Sequence, residues 1–208
     1  MSTISHLEAI ELGCIRQGKW IFPAVSFAAH AGHTLLIEGD NGAGKSSLLR
    51  LIAGIATPAS GKILRNAQPI QDNLSAYTEQ LHYIGHSHGI RLGLTVAENL
   101  QLAGALAQQP VTEIRTVLAS LHLSSHEHTQ TQFLSAGQKR RLALARLLLI
   151  PRQLWIMDEP LTALDATTQQ LLIRAIETHT TNGGMCIMTS HQSVNFTQQV
   201  QTLRIASC

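Results

Sequence analysis

The segment Gly39-Asp40-Asn41-Gly42-Ala43-Gly44-Lys45-Ser46 limits the folds open to this chain more than any other stretch. It has the spacing G-x-x-x-x-G-K-S, follows the apolar run TLLIE and opens the helical pattern KSSLLRLIAG. A strand that turns into a helix through such a loop can curl its backbone so that the N–H groups point inward, because glycine reaches the required angles without a Cβ clash. The helix N-terminus adds the positive end of its dipole. The loop is therefore expected to wrap phosphates with the backbone of Gly39, Asp40, Asn41, Gly42, Ala43 and Gly44. Lys45 is expected to place a charge on the β- and γ-phosphates, and the Ser46 hydroxyl to ligate Mg²⁺, with Ser47 the poorer candidate. A chance glycine turn is the alternative, and the strand–loop–helix setting argues against it.

The rest of the chain alternates short β-rich runs with helical ones, which predicts an α/β fold. Strands are expected at 20–27, 34–37, 62–64, 82–84, 154–157, 186–189 and 201–205. Helices are expected to begin at Gly44, Thr95, Thr112, Ser135, Asp165 and near His191, with Thr95-Val-Ala-Glu98 reading as a capping box. Residues 1–85 and 150–208 carry nearly all the strand signal, and residues from about 86 to 150 read as helical. This organisation predicts one domain over 1–208, a core sheet with an inserted helical subdomain.

Composition narrows the partners. Hydrophobic residues make up 44% of the chain and charged residues only 13%, a sparing use of charge that hints at a surface covered by a partner. The formal net charge is +2, and the longest basic cluster is Lys139-Arg140-Arg141, so no nucleic-acid partner is expected. Cys14, Cys186 and Cys208 are few and far apart, with neither a disulfide framework nor zinc spacing. The N-terminus lacks a secretory pattern, and the greasiest stretch, LALARLLLI, is too short to span a bilayer and carries Arg146. A soluble or membrane-peripheral chain is expected.

Hydrolysis of a bound nucleotide needs a second metal-holding carboxylate and a base. Leu154-Trp-Ile-Met-Asp158-Glu159 supplies both at the end of an apolar strand, with Asp158 expected to hold Mg²⁺ and Glu159 to polarise the attacking water. Taken alone, paired acids after a strand are an ordinary helix cap; the phosphate loop changes that reading. Leu134-Ser135-Ala136-Gly137-Gln138 then leads into the helix KRRLALARLLL. A helix start built of small residues is an anion site, or simply an N-cap at Ser135.

Together these three elements resemble the ATP-binding-cassette family, in which the last is the signature usually written LSGGQ. The resemblance covers essentially the whole chain. It implies ATP hydrolysis by a P-loop NTPase core. It further implies a head-to-tail homodimer in which Ser135, Ala136, Gly137 and Gln138 meet the ATP held by the opposite subunit. Leu161-Thr-Ala-Leu-Asp165 resembles the family's coupling D-loop, and His191 its γ-phosphate-sensing histidine.

Two positions depart from the common pattern. His86 stands where most cassettes place a metal-binding glutamine; an imidazole suits Mg²⁺ poorly but can hydrogen-bond the attacking water. Members of the family often stack adenine on an aromatic of the N-terminal strand; ELGCIRQGKW offers no tyrosine there, which leaves Arg16 or Trp20. The histidine in GHSHGI and the alanine in LSAGQ make the chain similar to the ATP-binding subunits of the haem exporter of bacterial cytochrome c biogenesis. That likeness implies integral membrane permease partners, a peripheral place on the cytoplasmic face of the inner membrane, and haem handled by the complex rather than bound by this chain. The permease is expected around 86–93 and the helices that follow. Other readings are the ATPase subunit of another ABC exporter; a soluble non-transport cassette acting on nucleic acid or ribosomes, which normally needs two cassettes or a long coiled-coil insertion; and a non-catalytic nucleotide sensor, which Lys45, Asp158, Glu159 and His191 argue against. The repeated spacing of His82, His86 and His88 in His122, His126 and His128 is not read as a haem or metal site, since the second set falls in a polar turn. Trp155, Met157, Met185 and Met188 are read as core residues.

An unperturbed histidine titrates near about pH 6.5. ATP turnover is therefore expected to vary more steeply between about pH 5 and 7 in the natural protein than in a His86→Gln variant. Paired pH profiles check this, and identical profiles would remove His86 from the mechanism.

Overall fold

A computed structural model describes residues 5–87, 89–191 and 194–206. In chain order its elements are β1 (His6–Arg16), β2 (Lys19–His30), β3 (Thr34–Glu38), α1 (Lys45–Ile52), β4 (Ser60–Arg65), β5 (Gln68–Pro69), α2 (Leu74–Thr78) and β6 (Leu81–Ile84). There follow α3 (Val96–Leu106), α4 (Ile114–Ser120), α5 (Ala136–Leu149), β7 (Leu154–Met157), α6 (Ala166–Thr181), β8 (Met185–Thr189) and β9 (Val200–Arg204). The fold is α/β. Its contacts form two compact units, one of Met1–Tyr83, Gln153–Pro160 and Ile176–Cys208, the other of Ile84–Arg152 and Leu161–Ala175.

The first unit holds two sheets, in the orders β2-β1-β4-β5 and β6-β7-β8-β3-β9. In the second sheet β7 pairs parallel with β8, and β3 parallel with both β8 and β9. Parallel strands covered on both faces read as continuous apolar runs, and LWIM and MCIMT are buried at every position. Leu48, Leu49, Leu51 and Ile52 of α1 pack into one core with Ile37, Ile156 and Ile187. The strand order sets the layout of the site: β8 lies between β3 and β7, so the residues after β8 fall between those that follow the other two.

In the second unit Val96, Leu100, Leu118, Leu121, Leu123, Leu134, Leu142 and Ala145 form a separate core. Thr95 and Glu98 complete the expected capping box at the start of α3. The segment ahead of α3 is tied down by polar side chains. The Asn99 amide accepts from Arg91 N–H at 2.8 Å and donates to the Arg91, Leu94 and Thr95 carbonyls, while Thr131 donates to the Arg91 carbonyl. Buried Arg140 donates to the Gly85 carbonyl at 3.1 Å.

Several expectations are corrected. The helix expected near His191 is absent from 194–206, where the chain stays irregular until β9; Gln192 and Ser193 lie outside the described residues, as does His88. The stretch leads into β9, the strand expected at 201–205, which pairs with β3. β1 and the short α2 belong to the fold without having been expected. Among the described residues no helix is long and apolar enough to cross a membrane, and no three His, Cys, Asp or Glu side chains converge as a metal cage.

His179 of α6 stacks on Trp155 of β7, with ring centroids 4.1 Å apart and planes 6° from parallel. Its Nε2 lies 3.2 Å from the Met185 carbonyl, and a Cβ on Gly184 would overlap the imidazole ring. Burial lowers the His179 pKa, opposed by its contacts with the Met185 and Gln153 carbonyls. The unfolded chain therefore binds this proton more readily, so the contribution is intact above the ordinary histidine pKa of about 6.5 and is lost as pH falls below it. Urea midpoints at about pH 7.5 and 5.5 should separate more in the natural protein than in His179→Gln.

Candidate functional site

Three strand ends bring the expected chemistry together in the first unit. β3 ends at Glu38 and the phosphate loop curls into α1. Gly44 is the N-cap of that helix in the left-handed region, with φ 93° and ψ 13°, and no side chain caps it. A Cβ there would overlap Ile21 and lie 2.9 Å from Phe22, so only glycine closes the turn. The first turn of α1 holds no acidic residue, which leaves the helix dipole uncompensated at its start. Lys45 is 6% exposed. Its Nζ donates to the carbonyls of Gly39 at 2.6 Å and Asp40 at 2.9 Å. Two of the three ammonium protons hold the loop's own backbone, and one remains for an incoming acceptor.

A hollow of about 230 Å³ is lined by Arg16, Ile21, Asn41, Gly42, Gly44, Lys45, Ser46, Ser47, Glu159 and His191. Arg16 thus reaches the expected phosphate site. Trp20 does not line it: its ring packs on Gly13, 2.7 Å from where a Cβ would stand there. Gly39, Asp40 and Asn41 also border a larger neighbouring cavity of about 790 Å³ with Ser190 and His191.

The acidic pair follows β7. Asp158 is 6% exposed, and Glu159 takes a left-handed backbone, φ 47°, unusual for a residue with a side chain. Its Oε1 lies 2.7 Å from His191 Nε2. Since an ionised carboxylate only accepts, Nε2 carries the proton of this contact. Thr189, the last residue of β8, is fully buried. Its hydroxyl donates to Asp158 Oδ1 at 2.8 Å and accepts from the Glu159 N–H at 2.8 Å. Sequence reasoning passed over Thr189 because a threonine in a strand reads as a β-former. Its one signal was position: register places it opposite residue 158. Half-buried Tyr83 completes the electrostatic surroundings, its phenol pKa raised first by burial and then by Asp158, with Arg50 opposing.

Ser46 and Asp158 offer hydroxyl and carboxylate oxygens, a hard donor set that fits Mg²⁺. Ala43 of the loop is fully buried and Ser47 lies on the first turn of α1.

The remaining expected residues lie in the second unit. Ser135 accepts from the Gln138 N–H at 3.2 Å, and Gln138 Oε1 accepts from the Ser135 N–H at 2.8 Å, a full capping box at the start of α5. The Gln138 amide also meets His126 Nε2 at 2.9 Å. Gly137 packs close to the backbone of the 161–165 turn, where a Cβ would lie 3.1 Å from the Ala163 carbonyl. Asp165 caps α6 through Thr168, and the hydrogen bonds from the Thr168 backbone and hydroxyl hold its carboxyl pKa below the usual range. His86 is exposed, next to the Gly85 carbonyl that Arg140 holds.

The ABC transporter family model matches residues 22–162. The chain is 41% identical over 203 residues to the cytochrome c biogenesis ATP-binding export protein CcmA of Pseudomonas aeruginosa, covering 97% of this chain and 100% of that one. With the protein of the same name from Escherichia coli it shares 41% over 189 residues, 91% and 90% of the two chains. A solved ATP-binding subunit of an ABC transporter superposes with a TM-score of 0.78 at 26% identity, over 89% of this chain and 79% of that one. A putative ABC transporter ATP-binding protein from Pyrococcus furiosus superposes at 0.81 over 96% and 97%; at 22% identity that likeness speaks to the fold alone.

Replacing Lys45 by Ala removes the one cation that the phosphate loop itself carries. A charge-assisted contact of this kind contributes about 2–3 kcal/mol, so ATP should bind about 30- to 150-fold more weakly. Equilibrium binding of a fluorescent ATP analogue reads this directly.

Proposed function

This chain belongs to the ABC transporter family, and we propose that it is the ATPase subunit driving haem export, or release of haem from its chaperone, in the maturation of c-type cytochromes. The observation that carries the hydrolytic half is the 2.7 Å contact between Glu159 and His191 at the rim of the phosphate-loop hollow. The extensive likeness to the CcmA proteins supports the haem-handling half.

The residues divide the work. The backbone from Gly39 to Gly44 and the start of α1 hold the phosphates, and the last Lys45 proton goes to the β/γ oxygens. Ser46 and Asp158 hold Mg²⁺, which neutralises charge on the phosphates when bound. Arg16 lays its guanidinium plane against the adenine, since Arg16 and not Trp20 lines the hollow. Glu159 orients and polarises the attacking water, while His191 orients the Glu159 carboxylate through its Nε2–H and senses the γ-phosphate. His86 hydrogen-bonds the same water in place of the family's glutamine.

Residues 1–208 form one cassette, with the helical part at about 86–150. Two copies face head to tail, and Ser135, Ala136, Gly137 and Gln138 of each complete the site of the other. The Ser135 hydroxyl accepts within its own cap and keeps its proton to donate to a phosphate oxygen. The dimer docks on integral membrane permease subunits at the cytoplasmic face of the bacterial inner membrane, and haem is handled by the complex rather than by this chain.

A Glu159→Gln variant should bind ATP normally, lose turnover about a hundredfold or more, and accumulate as a closed dimer. Cells relying on it should lack covalently attached haem in their c-type cytochromes while other haem proteins stay intact. Turnover at the natural rate would overturn the base assignment; loss of turnover with normal c-type haem would leave the ATPase and overturn its cargo.

A further inference from the structure

The end of β8 touches the acidic turn in three places. Thr189 Oγ1 donates to Asp158 Oδ1 and accepts the Glu159 N–H, both at 2.8 Å. Two residues later His191 Nε2 meets Glu159 Oε1 at 2.7 Å. The pairing of β7 with β8 sets this up: Leu154↔Met185 through Met157↔Met188, continued by one residue, puts Asp158 opposite Thr189. Thr189 is fully buried, so no water competes for its hydroxyl.

We propose that Thr189 is a positioning residue for ATP hydrolysis, one hydroxyl that fixes the metal-holding Asp158 and the water-orienting Glu159 relative to each other. The hydroxyl has a single proton, so its two contacts have fixed senses. Donation to Asp158 requires an accepting carboxylate oxygen, and acceptance from Glu159 requires the turn to present its N–H inward. The second contact matters because Glu159 holds a left-handed backbone that a non-glycine residue adopts only when its surroundings impose it. With Thr189 at its backbone and His191 at its carboxylate, Glu159 is held at both ends by one strand terminus. Buried Thr180 of the first unit does different work, bonding to carbonyls within its own helix and to Gln198. This inference rests on the roles proposed above for Asp158 and Glu159.

The test compares Thr189→Val, which keeps the shape and removes the hydroxyl, with Thr189→Ser, which keeps the hydroxyl. Each is made in the full chain assembled with its membrane subunits, with Glu159→Gln alongside. Thr189→Val should lower kcat about tenfold to a hundredfold, with KM for ATP and equilibrium ATP affinity within about twofold, and Thr189→Ser should restore kcat to within about threefold. If the valine variant does not assemble, the ratio of Thr189→Ser to Thr189→Ala reads the same hydroxyl. A valine variant with near-natural kcat, a Ser/Ala ratio near one, or a parallel loss of ATP affinity and melting temperature would overturn the proposal. An inactive Glu159→Gln beside a fully active Thr189→Val fells the Thr189 role alone. A fully active Glu159→Gln fells the base assignment and this proposal with it.

Discussion

The hydrogen-bonded register of β3, β8 and β7 is the constraint on which the chemistry of the first unit depends. β3 delivers the phosphate loop, β7 delivers Asp158 and Glu159, and β8 stands between them carrying Thr189 and His191. Because side chains alternate along a strand, a one-residue slip between β7 and β8 would bring Met188 or Ser190 opposite Asp158. The buried apolar runs LWIM and MCIMT forbid such a slip, since every residue in them already faces packed neighbours. Hydrophobic burial therefore fixes the spacing of the acids, and the polar contacts at the strand ends refine it. The Trp155–His179 stack sits on the same strand pair and clamps it from α6.

The second unit is ordered by different means. Its apolar core is helical, but the segment leading into α3 is fixed by Asn99, Thr131 and Arg140, each spending side-chain hydrogen bonds on loop carbonyls. Buried amide and guanidinium groups of this kind set backbone position closely because leaving any partner unmatched is costly. The segment bearing His86 thus begins at a carbonyl gripped from α5.

How far the sequence was legible follows from the range of each signal. The phosphate loop, the acidic strand end, the Thr95 capping box and the Ser135 N-cap are local patterns, and short windows contain them whole. β1 escaped notice because its alternation is broken: register shifts fall between Ala9 and Leu12, Leu12 and Cys14, and Cys14 and Ile15, and Glu11 sits at φ 48°. Bulges of this kind erase the period of two on which strand reading relies. α2 is a single turn capped by Asn73, too short to show a period. The helix expected near His191 has no counterpart in 194–199, an irregular stretch leading to β9, the strand expected at 201–205; β9 is held by β3 in a pairing across more than 160 residues that no short window contains, as Arg204 to Glu38 illustrates. Thr189 was invisible for the same reason, since its meaning lies in the strand beside it.

The starts of α1 and α5 differ in readiness. At α1 no side chain caps the helix and no acid softens its dipole, while at α5 Ser135 and Gln138 already satisfy each other's backbone donors. An anion approaching α1 meets unshared N–H groups and an ammonium; one approaching α5 must displace or share an internal cap worth about 1 kcal/mol. The two ends are therefore ranked as anion receptors before any second molecule arrives. Of the two helix starts, that of α1 is the stronger receptor for an anion and that of α5 the weaker.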